Sequence, residues 1–93
     1  MKRTSNRRGH RDSIDIVADI LKASLGGTKK TQLMYHCNLS FRQLESYLDL
    51  LLKKNLLKCR TTERSRASLI FEITEKGQEF LRSYKILKSF IST

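Results

Sequence analysis

The segment that most constrains this chain runs from Thr28 to Asn55, where two helical patterns meet across about three residues. Thr28 can cap a short helix through His36 that turns Leu33, Met34 and Cys37 to one side. Asn38 suits a left-handed turn. Ser40, followed three residues later by Gln43, forms the capping-box pattern that opens a longer helix over 41–54. Asn55 can then take the left-handed position that ends it. So brief a joint between two helices predicts a helix-turn-helix unit.

The flanking segments complete the order. From Ile14 to Leu25, the residues Ile14, Val17, Ala18, Leu21 and Leu25 recur at helical spacing, with Asp12 or Ser13 as N-cap and Gly26-Gly27 as terminator. Ile16 and Ile20 lie off that stripe and point to a second packing partner. Leu56–Thr61 and Ser68–Ile73 alternate as strands, with Leu57 and Cys59, then Leu69, Phe71 and Ile73, inward. The charged stretch 62–67 joins them as a hairpin tip. Thr74 caps a last helix, Glu75 to Ile91. The order α-α-α-β-β-α, mainly helical with one small hairpin, is that of a winged helix. In that fold the third helix enters the major groove and the hairpin lies along the neighbouring backbone.

Size and charge limit what such a fold can do. At 93 residues the chain is one domain, and it buries only roughly 60 to 65% of the surface exposed by its unfolded form, which leaves little room for an enclosed substrate cavity. Nineteen Lys and Arg against nine Asp and Glu give a formal charge of +10. No stretch approaches the ~20 apolar residues of a membrane span, and the basic N-terminus is followed by Asp12, Asp15 and Asp19 where a secretory signal would be apolar. A cytoplasmic, nucleoid-associated location is therefore expected. Cys37 and Cys59 are too few for a disulfide framework, match no zinc spacing with His10 and His36, and are expected to be small buried thiols. No cofactor, metal or small-molecule ligand is indicated. Nor is an enzyme: there is no Gly-rich phosphate loop, and His36 beside Cys37 is adjacency without an orienting group.

The basic residues gather in four places. Residues 1–11, with Arg7, Arg8 and Arg11 among five cations, have almost nothing apolar and are expected to form a flexible arm ahead of a domain spanning 12–93. Lys29 and Lys30 stand at the start of the second helix, where the macrodipole disfavours cations, so either a phosphate held there by free N–H groups explains them or they are two exposed lysines tolerated at small cost. Arg60, Arg64 and Arg66 on the hairpin are placed for phosphate contact.

On the third helix, Phe41, Leu44, Tyr47, Leu48, Leu51 and Leu52 form one wide apolar face. Opposite stand Arg42, Ser46 and Lys53, flanked by Gln43 and Asp49, and with Ser40 at the helix start these types suit base edges, since Arg pairs with guanine and Gln with adenine. Leu50 also falls on this polar side. A merely solvated helix face is the alternative.

The stretch TKKTQLMYHCNLSFRQLESYLDLLLKKNLLKC followed by FEITEKGQEFL resembles small archaeal winged-helix DNA-binding proteins, including basic dimeric chromatin-type members and predicted transcription regulators. The resemblance spans about residues 12–84 and implies a winged helix that dimerises through its C-terminal helix and binds double-stranded DNA. Asn55 stands where these proteins commonly have Gly, and the last helix is shorter than in the coiled-coil members.

The residues themselves also point to a homodimer: Phe80, Tyr84, Leu87 and Ile91 repeat at spacings of four, three and four, and Phe90 widens the face. With Ile16 and Ile20 they are expected to meet a second copy through the helix at about 75–91. The function expected is a dimeric transcription regulator. A general architectural DNA-coating protein and a winged helix used for protein or RNA contacts are the alternatives.

Overall fold

The computed structural model describes residues 12–61 and 69–91 and has the expected order. It comprises α1 (Ser13–Ala23), α2 (Lys30–Cys37), α3 (Phe41–Lys53), β1 (Leu57–Thr61), β2 (Leu69–Ile73) and α4 (Glu75–Ile91). The arm at 1–11 and the hairpin tip at 62–68 lie outside the described residues, and with them Arg7, Arg8, Arg11, Arg64 and Arg66.

The helix ends follow the local signals closely. Ser40 Oγ accepts the Gln43 backbone N–H at 3.1 Å while Gln43 Oε1 accepts the Ser40 N–H at 3.0 Å, closing both halves of the capping box. Asn38 (φ 56°) and Asn55 (φ 64°) take the left-handed turns after α2 and α3. Thr74 caps α4, its Oγ1 accepting the Gly77 N–H at 3.0 Å and donating to the Asn55 carbonyl at 2.8 Å.

The start of α2 differs from expectation. Its N-cap is Lys29, while Thr28 is drawn into the sheet, exchanging two backbone hydrogen bonds with Phe71 at 2.8 and 3.0 Å. Gln32 reaches back to accept from the Thr28 hydroxyl and the Lys29 N–H. A lysine side chain has no acceptor, so the reciprocal bond of a capping box cannot form here. The hairpin pairs Leu57 with Ile73, Cys59 with Phe71 and Thr61 with Leu69, so Phe71 is flanked on both sides.

The core is built from α1 (Val17, Ala18, Ile20, Leu21), the helix-turn-helix (Leu33, Cys37, Leu39, Leu44, Leu48, Leu51), the sheet (Leu57, Phe71, Ile73) and Leu81 of α4. Helix α1 packs against α2, α4 and β2. This rotates its buried stripe from the expected one. Ile20 is wholly buried (0% exposed) and Ile16 packs against the core, whereas Ile14 and Leu25, at the ends, are exposed. The second packing partner expected for Ile16 and Ile20 is thus supplied by the protomer's own core, and Ile20 has no surface to offer a twin.

Three further expectations are corrected. Phe41, the first residue of α3, and Leu52 lie at the edge of the core and are exposed, because the core narrows to Leu44, Leu48 and Leu51. Cys59 is exposed: β1 buries only Leu57, and among the described residues no layer covers the rest of that strand. Cys37 is buried, and neither thiol is in a disulfide.

Candidate nucleic-acid interface

Helix α3 presents Ser40, Arg42, Gln43, Ser46, Asp49 and Lys53 to solvent together. Capping by Ser40 and burial of three leucines fix the rotation of the helix, so the polar row faces away from the body. Arg42 and Lys53 are separated by about 16 Å along the axis and have no ion-pair partner among the described residues. Gln43 is different. Its side-chain oxygen is folded back onto the start of α3, so the two-point grip on adenine expected of it is not the geometry it holds.

The two lysines of α2 also divide. Lys29 is exposed and its side chain has no partner among the described residues. Lys30 instead forms an ion pair with Glu45 of α3, and its ammonium stands 5.1 Å from the Phe41 ring centroid. The helix start that lacks an acid of its own thus receives one from α3. Lys30 has a stabilising role that the sequence reading denied it, although a half-exposed pair of this kind contributes only about 0–1 kcal/mol. No local pattern joins residues this far apart, so the sequence alone does not single out Glu45.

On the hairpin, Arg60 is exposed but its guanidinium bonds Glu72 across the sheet at 3.1 Å. The Arg60 hydrogen bond, with the charges of Arg60 and Lys58, holds the Glu72 carboxyl below its ordinary value against the opposing effect of desolvation.

At the far side, α4 is clasped to α1. The Tyr84 hydroxyl donates to the Asp15 carboxylate, Lys88 Nζ lies 3.5 Å from the same carboxylate, and Lys88 stands 5.8 Å from the Tyr84 ring centroid. The hydrogen bond to Asp15, then desolvation and the charges of Asp15 and Asp19, push Tyr84 up to about 12. Asp15 is lowered, first by the Tyr84 hydrogen bond and then by Lys88, against desolvation. Tyr84 and Phe80, expected on a dimer seam, are half-buried against their own core, and the Tyr84 hydroxyl is committed within the protomer. Beyond the clasp Leu87 (60%), Phe90 (79%) and Ile91 (77%) are open to solvent.

Among the described residues no group of three His, Cys, Asp or Glu side chains could hold a metal ion, and no helix is long and apolar enough to cross a membrane. The depression lined by Ala23, Thr28, Gln32, Tyr35 and His36 is an open groove of about 540 Å³.

Three helices in succession with a tight turn between the second and third, a hairpin whose second strand also pairs with Thr28, and an outward polar row on α3 define a winged helix-turn-helix. The chain belongs to the winged helix-turn-helix family, whose pattern it matches over residues 10–92. It is 32% identical over 79 residues to an uncharacterized protein of Methanocaldococcus jannaschii, covering 84% of this chain and 74% of that one. Among solved structures it is similar to Sso10a-2, a DNA-binding protein from Sulfolobus solfataricus. The TM-score is 0.74 and the identity 26%, over 86% of this chain and 81% of that one. FabT of Streptococcus pneumoniae, solved in complex with DNA, shares the fold at a TM-score of 0.67 and 18% identity, over 84% of this chain and 53% of that one.

Proposed function

We propose that this protein is a double-stranded DNA-binding transcription regulator that acts as a homodimer and reads the major groove with α3. The observation that carries the reading is the exposed face of α3, where Arg42, Ser46, Asp49 and Lys53 stand together, while Lys30 and Arg60 are held by carboxylates of their own chain. Arg42 has the fork that matches guanine O6 and N7, and Lys53 and Lys29 are free to meet phosphates. The likeness to a DNA-binding protein, Sso10a-2, supports the same reading. Dimerisation is supported by Leu87, Phe90 and Ile91, large apolar groups that a small domain ordinarily covers.

A salt titration tests the electrostatic part. The logarithm of affinity should fall with the logarithm of salt at about −0.9 per phosphate neutralised, and a flat line would refute it. Selection from a random duplex pool tests base reading: an enriched sequence whose preference relaxes in Arg42→Ala supports it. If no sequence is enriched and the salt slope is steep, the protein coats DNA without reading it.

A further inference from the structure

We infer that Leu50 reads the C5-methyl group of a thymine in the bound duplex and so sets specificity at that position; the inference rests on the DNA-binding reading above. Leu50 is 43% exposed on the polar side of α3. It follows Ser46 by four residues and precedes Lys53 by three, so the three share one face, and both polar neighbours are exposed. It is not overflow from the exposed edge of the core at Phe41 and Leu52. At 100° per residue those two lie on the opposite flank of the helix, where Lys30 covers the Phe41 ring.

The chemistry of the groove narrows what this side chain can meet. The major-groove edges of the four bases present donors and acceptors, and the thymine methyl is the apolar group among them. A leucine entering that groove between Ser46 and Lys53 loses water favourably only against such a methyl. Gln43, the residue type that would distinguish an A·T pair by its amide, has its oxygen turned back to cap α3. Recognition of A·T pairs from this face therefore falls to an apolar contact.

The test uses a duplex selected from a random pool by the full-length protein. Each thymine is replaced singly by deoxyuridine, which removes the methyl and leaves every hydrogen-bonding group in place. Loss of one methyl-sized contact predicts about a fourfold drop in affinity at one thymine or two adjacent ones. The drop should vanish in Leu50→Ala and persist in Leu50→Met. Matching melting temperatures show that the exposed substitutions leave the fold intact. Uracil tolerated everywhere, or the same loss persisting in Leu50→Ala, overturns the assignment. If selection and a steep salt slope survive that result, only the role of Leu50 falls. A flat salt slope, or a pool that enriches nothing, removes base reading and this inference together.

Discussion

Gly77 decides where α4 leaves the sheet, and replacing it by alanine measures how tightly that junction is set. A Cβ at this position would stand 2.6 Å from Ile73 Cγ1 and closer still to the Leu56 carbonyl oxygen. Neither can retreat freely. The Leu56 oxygen already accepts the Thr74 N–H at 3.1 Å, and Ile73 is buried in the core. Two effects oppose one another. Alanine in place of glycine favours a helix by about 1 kcal/mol. Forcing extra volume into a packed site costs about 1–3 kcal/mol, with the upper end expected where backbone must move. The net is a loss of about 2 kcal/mol, or a fall in Tm of about 8–16 °C for a domain of this size. Thermal unfolding followed by circular dichroism reads it directly. Gly26→Ala is the control: nothing lies within 4 Å of its Cβ, so only the strain of φ +81° remains, about 1–2 kcal/mol. A Gly77→Ala protein as stable as the native one, or more stable, would refute the clash and with it the account of how α4 is aimed.

Thr74→Ala removes the cap of α4 and its bond to the Asn55 carbonyl, and should cost about 1–2 kcal/mol in a denaturant titration. Tyr84→Phe tests the clasp through pH. Because the folded Tyr84 value is raised to about 12 from 10.0, its stabilisation is present below pH 10 and lost as pH rises toward 12. Asp15 is lowered, so its share is present above the ordinary carboxylate range and lost in acid. The difference in Tm between native and Tyr84→Phe should therefore shrink at both extremes, and a constant difference would count against the clasp. Lys29→Ala should weaken all duplexes alike and reduce the salt slope by about one phosphate, whereas Lys30→Ala, whose ammonium is shared with Glu45, should lose less affinity in the same titration. Phe90→Asp should shift sedimentation toward the monomer, and an unchanged mass would place the dimer contact elsewhere.

What the sequence determined by itself are the features encoded within a few residues. The cap at Ser40, the left-handed turns at Asn38 and Asn55 and the Thr74 start of α4 rest on groups that meet their own neighbours along the chain, so spacing alone exposes them. The polar row of α3 follows likewise from helical periodicity. Tertiary structure decided what depends on two elements meeting. Thr28 left its cap for Phe71, Lys30 found Glu45, Arg60 found Glu72, and Tyr84 found Asp15, all pairs distant in sequence. Ile20 entered the core for the same reason. A residue's side of a helix is set by the periodicity, but whether that side is wet depends on which layers pack against it, and here the protomer's own core covers the face of α1 that the local pattern left open.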